Sequence, residues 1–272
     1  DAISKSYENF KDIYRPGHAD LSYDEKYGIR DYRGGGRSSN RETVGRVAAG
    51  AIAKKLLKAM KIKTFGFVQQ IGNIKCEKIN INYIEKNSLR IADKGKFDEM
   101  ANLIDSVRKS GDSIGGVIEV RSTGMPAGLG SPVFEKLDAR LSSAIMGIGG
   151  VRGFEIGLGF QVASMKGSEV NDIMVGKSKG KVKFRTNNAG GILGGISNGN
   201  DLILRFALKP TSSISQKQDS IDNKGKQKKL QVKGRHDPCL CPRAVPIAEA
   251  MVNLVLLDCI LENNLSTVKK IT

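Results

Sequence analysis

Acidic residues, aromatics, histidine and cysteine are all scarce in this chain. It has 28 Asp+Glu against 44 Lys+Arg, for a net charge of +16. Such an imbalance draws in anions, either nucleic acid or a small substrate with several negative charges. Aromatics make up only 6% of the residues, with no tryptophan, and no recognised basic motif appears, so little supports a nucleic-acid surface. The four cysteines, Cys76, Cys239, Cys241 and Cys259, match no zinc ribbon or finger spacing. Of the two histidines, His18 and His236, only His236 lies near the Cys239-x-Cys241 pair. No metal site is therefore expected, and the thiols read as reduced in a cytoplasmic protein. No basic start followed by an apolar core marks a signal peptide. No apolar run approaches the ~20 residues of a membrane span. The longest, Met251 to Leu257, is interrupted by Asn253 and closed by Asp258, and reads as a buried helix. No fixed-period repeat is present, which excludes solenoids and propellers.

Glycine, by contrast, is abundant: 32 residues, clustered at Gly34–Gly36, Gly115–Gly116, Gly147–Gly153 and Gly190–Gly199. Such clusters mark tight turns and places where backbone approaches a ligand or another backbone. Helices are predicted over Asn40–Met60, Phe97–Lys109, Val133–Met146 and Pro246–Leu261. In the first, Ser39 and Glu42 have the spacing of a capping box, and Val44, Val47, Ala48, Ala51, Ile52 and Leu56 recur at helical period. Phe134, Leu137, Leu141 and Ile145 form the apolar face of the third, and Pro246 opens the fourth. Strands are predicted over Thr64–Ile71, Gly116–Ser122, Gly153–Gly159 and Asp201–Leu208. The lysine-rich stretch Lys217–Lys233 reads as a solvated loop or hairpin. The interspersed elements describe a mixed α/β (α+β layered) protein, with residues 1–272 as one domain.

The most informative segment is Arg33-Gly-Gly-Gly-Arg-Ser-Ser-Asn-Arg-Glu42. Three glycines permit a sharp turn that exposes backbone N–H groups, Ser38 and Ser39 add hydroxyls, and a helix follows whose first turn carries free N–H groups and a positive dipole end. Arg37 and Arg41 can bind phosphate or carboxylate bidentately. The segment is neither a Walker loop nor a Rossmann fingerprint. Taken alone, it reads equally as an anion cradle or as a glycine turn leading into a capped helix with solvated arginines.

Upstream stand Arg15-Pro-Gly-His18-Ala-Asp20 and Lys26-Tyr-Gly-Ile-Arg-Asp31. Downstream, in order, come Gly111-Asp-Ser-Ile-Gly-Gly116, Gly124-Met-Pro-Ala-Gly-Leu-Gly130 leading into Phe134-Glu-Lys-Leu-Asp-Ala139, Asn188-Ala-Gly-Gly-Ile-Leu-Gly-Gly-Ile-Ser197, Lys209-Pro-Thr-Ser-Ser-Ile214, Gly234-Arg-His-Asp-Pro-Cys239 and Arg243-Ala-Val-Pro-Ile-Ala-Glu249. Together these blocks cover nearly the whole chain and closely resemble the signature of chorismate synthases.

The resemblance implies a β-α-β sandwich with helices packed between sheets. It implies a carbon–oxygen lyase that makes chorismate from 5-enolpyruvylshikimate 3-phosphate by 1,4-anti elimination of phosphate. The reaction requires reduced FMN without net redox change, and NADPH is a candidate flavin reductant. By motif match, Arg37, Ser38, Ser39, Gly149, Gly150, Gly194, Lys209, Pro210, Thr211, Ser212, Ser213 and Arg235 contact FMN, while Arg15 and Arg41 clamp the substrate. His18 matches the histidine that protonates reduced flavin, and Asp237 the aspartate that relays a proton from it. His236 is read as structural or supporting. The family is homotetrameric, and no nucleic acid or membrane is implied. The lysine-rich stretch Lys177–Arg185 and the stretch Cys76–Leu89 match the family poorly, and two further departures are visible. Asn188 stands where many relatives have His, and the family's opening Gly-x-Ser-His-Gly segment has no match, so a substantial N-terminal part is expected to be absent. The competing readings are an FMN-binding relative impaired in catalysis by that loss and a basic nucleic-acid-binding protein.

Overall fold

The computed structural model describes residues 8, 10–178, 180–232 and 236–266. Its strands are β1 (Lys63–Ile71), β2 (Ile74–Lys75), β3 (Gly116–Thr123), β4 (Val151–Ile156), β5 (Met174–Ser178), β6 (Lys181–Phe184), β7 (Ile192–Leu193), β8 (Ile196–Ser197), β9 (Leu202–Leu208), β10 (Gln218–Ile221) and β11 (Gln227–Leu230). One antiparallel sheet has the order β2-β1-β3-β9-β4; the other strands form the ribbons β5–β6, β7–β8 and β10–β11. The last ribbon lies within the lysine-rich stretch as a hairpin, with Lys224, Lys226, Lys228 and Lys229 exposed.

β9 shows why the sheet has two unlike faces. Leu202, Leu204, Phe206 and Leu208 are buried, while Ile203, Arg205 and Ala207 between them are partly exposed. This is the period-two signature of a strand covered on one side. The covering helices are α2 (Thr43–Ala59), α4 (Leu137–Met146) and α6 (Cys241–Ser266), with α1 (Asp20–Tyr27), α3 (Phe97–Lys109) and the single turn α5 (Gly167–Val170) peripheral to them. The reverse face carries charge instead. Arg205 Nε donates to Glu155 Oε1 at 2.6 Å, Arg121 Nε donates to Glu119 Oε1 at 2.6 Å, and Glu119 and Arg205 lie opposite each other across the β3–β9 ladder. Cross-strand partners of opposite sign satisfy the buried Glu119.

α6 begins at Cys241 rather than Pro246, so Pro246 lies inside the helix and Pro242 takes the first turn. From Cys241 to Leu265 the helix is long and apolar enough to cross a membrane by length and composition, but here it is half-buried in the core between α2 and the sheet. The four cysteines are buried thiols outside any disulfide.

α2 turns its strongest apolar stripe outward. Val44 is 75% exposed and Ile52 67%, whereas Gly50, Ala53 and Leu57 are buried. Close approach decides this orientation. A Cβ on Gly50 would lie 2.3 Å from Ala250 Cβ of α6, so the helices meet where side chains are smallest. Gly50→Ala is therefore expected to destabilise the protein. Overpacking costs about 1–3 kcal/mol, against a helix-propensity gain of about 1 kcal/mol, and thermal unfolding of the variant checks the sign.

Two other elements differ from the sequence reading. α4 starts at Leu137, and Phe134 is 89% exposed in the turn before it. The predicted capping box is not formed: a 3-10 turn over Asn40–Glu42 precedes α2, and Ser39 Oγ accepts from the Arg41 N–H instead.

Candidate functional site

Five segments distant in sequence, 15–22, 34–41, 149–152, 209–213 and 236–240, line a cavity of about 410 Å³. The loop before α1 is organised by one carboxylate. Asp20, buried, accepts from Arg15 Nε (2.8 Å), Arg15 Nη2 (2.9 Å) and the Arg15 N–H (3.1 Å), and Arg30 Nη1 lies 3.1 Å from it. Burial pushes this carboxyl up, but the hydrogen bonds from Arg15 and His18 outweigh it and hold the group well below the usual carboxylate range.

His18 has a choice of partner. Its Nδ1 lies 3.0 Å from Asp20 Oδ1 and 3.1 Å from Arg15 Nη2. A protonated Nδ1 donates to Asp20, while a bare Nδ1 accepts from Arg15, so either state finds a hydrogen bond. In the neutral ring, the exchange converts Nε2 from acceptor to donor. This suits a group that moves protons.

The glycine–arginine–serine segment spends several of its N–H groups internally rather than presenting them all as the sequence suggested. Ser38 N–H donates to Gly35 O, Ser39 N–H to Gly36 O and Glu42 N–H to Ser39 O, all within short turns. Gly35 has φ +91°, and a Cβ there would lie 2.9 Å from Ser38 Oγ and 3.4 Å from His18 Cε1. The glycine thus lets the turn sit against the histidine. Ser39, Asn40 and Arg41 line the cavity from this segment, and Arg41 Nη1 also donates to Gly34 O at 3.2 Å.

Across the cavity, Lys209 Nζ donates to Gly17 O and, at 2.9 Å, to Ser212 Oγ, which itself donates to Gly17 O at 2.7 Å. Burial and the nearby Arg152 both push the Lys209 ammonium down in pKa. A bound anion would relieve that repulsion.

Of the predicted residues, Arg15, His18, Ser38, Ser39, Arg41, Gly149, Gly150, Lys209, Pro210, Thr211, Ser212 and Ser213 line this cavity. Arg37 is exposed, and Gly194 sits in the β7–β8 turn; neither lines it. Asp237 is held by Arg243 at 3.0 Å, with its carbonyl accepting from Thr211 Oγ1 at 3.0 Å, and its side chain does not line the cavity either. Arg235 lies outside the described residues. Arg15 borders the cavity, but Asp20 already occupies its guanidinium fork.

The family model for chorismate synthase matches residues 1–261. The chain is 52% identical over 270 residues to the chorismate synthase of Archaeoglobus fulgidus, covering 97% of this chain and 75% of that protein. It is 50% identical over 263 residues to the chorismate synthase of Methanocella arvoryzae, covering 95% of this chain and 70% of that one. A crystal structure of chorismate synthase is similar with a TM-score of 0.75 at 35% identity, over 90% of this chain and 70% of that one.

The chain belongs to the chorismate synthase family.

The layered α/β fold is that of a solved chorismate synthase, and the family generally uses reduced FMN. Three features of the site show only in the folded chain. Arg152 reads as an ordinary strand residue, and only the packing of β4 beside Lys209 brings it to the site. Asp20 stands inside the Arg-Pro-Gly-His-Ala-Asp block, but its role as common acceptor shows only in the hydrogen bonds. His236, read as structural, lines the cavity, and its buried Nε2 has no hydrogen-bond partner among the described residues. Burial first, and Arg15 second, lower its pKa, which favours the neutral ring.

Proposed function

We propose that this cavity is where the chain, acting as a chorismate synthase, takes 5-enolpyruvylshikimate 3-phosphate to chorismate. One observation carries the reading: segments from both ends of the chain converge on a single cavity lined by Arg41, Arg152, Lys209, His18 and His236. These groups fit FMN and the substrate chemically. Cations and hydroxyls suit two phosphorylated partners, and the unpartnered His236 Nε2 suits a polar ring edge. Ser38, Ser39, Gly149, Gly150 and Lys209 to Ser213 would hold FMN. Arg41 and Arg152 would hold the anionic groups of the substrate.

Reduced FMN, when bound, supplies transient electron donation to the breaking carbon–oxygen bond. The chain's own residues do the rest. Arg41 and Arg152 are fixed positive charges placed to stabilise the phosphate as it departs with the electrons of that bond. His18 holds or accepts a proton at Nε2 while Asp20 and Arg15 alternate as partners of Nδ1. Atoms balance as loss of phosphate and one ring proton from opposite faces, with no net oxidation.

The test is chorismate formation under anaerobic conditions with reduced FMN. Arg152→Ala is expected to raise KM for the phosphorylated substrate by about 10- to 100-fold, as loss of a charge-assisted contact does. Absence of chorismate from the wild-type chain, or an unchanged KM in the variant, would sink the assignment of this cavity.

A further inference from the structure

A second cavity, of about 440 Å³, lies at the C-terminal end of α2. α2 has 17 residues and so spans about 25 Å, which keeps this cavity apart from the one at its N-terminal end. Asn253 of α6 lines the cavity and is 1% exposed. Neither its Oδ1 nor its Nδ2 has a hydrogen-bond partner among the described residues. A buried carboxamide unsatisfied at both ends is costly, and a water, an ion or a ligand group in the cavity would relieve it.

The charge around this carboxamide is one-sided. Glu249 is already spent, accepting from the Gly66 N–H at 2.9 Å and from Lys54 at 2.9 Å, and Glu85 pairs with Arg90. Lys58, Lys61 and Lys63 also line the cavity and have no carboxylate partner among the described residues. Phe65 and Ile84, packed together, supply an apolar wall.

We propose that this cavity binds a small ring carboxylate. Its anionic group is held by the unpaired lysines, its ring lies against Phe65 and Ile84, and a hydroxyl or carbonyl on the far side meets Asn253, which offers both a donor and an acceptor.

4-Hydroxybenzoate is the probe, titrated into the full chain and followed by calorimetry and ligand-observed NMR. Saturable one-to-one binding with Kd of about 1 mM or tighter is expected for a ligand of this size. Asn253→Leu is expected to weaken binding about tenfold, while raising the Tm of the ligand-free protein by about 2–4 °C because the unsatisfied amide is gone. The double variant Lys58→Ala/Lys63→Ala alters only exposed side chains and is expected to weaken binding by a similar factor. 4-Hydroxybenzyl alcohol, which lacks the carboxylate, is expected to bind at least about tenfold more weakly. The proposal is overturned by non-saturable binding, by equal affinity for the alcohol, or by affinity that the lysine double variant leaves within about twofold. It is equally overturned if Arg152→Ala, in the other cavity, is the change that abolishes binding.

Discussion

In a His18→Ala variant, chorismate formation falls by about 100- to 10,000-fold, the range expected when a positioned proton-transfer group is lost. FMN affinity in the presence of substrate changes little, because Arg41, Arg152 and Lys209 remain to hold the phosphates. The structural basis is the division of labour between the two ring nitrogens. Nδ1 is committed to the Asp20–Arg15 pair, which leaves Nε2 to serve the cavity. Single-turnover kinetics with reduced FMN, beside an anaerobic flavin titration, separate the chemical step from binding. Wild-type turnover in this variant would remove His18 from the mechanism.

The second large effect belongs to Asp20. Asp20→Ala removes the carboxylate shared by the buried guanidinium groups of Arg15 and Arg30, and breaking such a buried ion pair costs about 3–5 kcal/mol. For a chain of this size the Tm falls by roughly 10 °C. The pH dependence follows from the lowered pKa of the folded carboxyl. A carboxylate that ionises more readily folded than unfolded contributes its full stability above the unfolded value of about 3.9. That contribution is lost as pH falls below it toward the folded value. The stability gap between wild type and Asp20→Ala is therefore wide at pH 7 and narrows in acid. Urea unfolding of both proteins at pH 7 and pH 3 measures the gap, and a difference independent of pH would show that Asp20 acts only by shape.

Much of the sheet could be read from the amino acids because apolar β-branched runs are local signals. β1 and β9 begin within one residue of expectation, and α3 over Phe97–Lys109 falls where its periodicity places it. The orientation of α2 could not be read that way. A hydrophobicity pattern selects the stripe richest in Val, Ile and Leu, whereas helix crossing selects the stripe with the smallest side chains, here Gly50 and Ala53 facing Ala250. The site divides along the same line. Motif blocks identify His18, Ser39, Arg41 and Lys209, since each sits in a short run of characteristic residues. Arg152 joins them only through tertiary packing, His236 stands in a motif block but its place in the cavity shows only in the fold, and the hydrogen-bond choice at His18 Nδ1 exists only once Arg15 and Asp20 are placed in three dimensions. Arg37 and Gly194 show the converse: residues inside a motif need not reach the cavity that the motif builds.

The carbonyl of Gly17 receives both Lys209 Nζ and Ser212 Oγ, partners 192 and 195 positions further along the chain. Joining such remote segments requires closing a very long loop, whose entropic cost must be met before the bonds form. A chain emerging during synthesis can complete β1 and β3 while the wall carrying Lys209 does not yet exist. Competence for chemistry is thus a late acquisition in the life of the molecule, and a partly folded chain offers its ligands no enclosed place to bind.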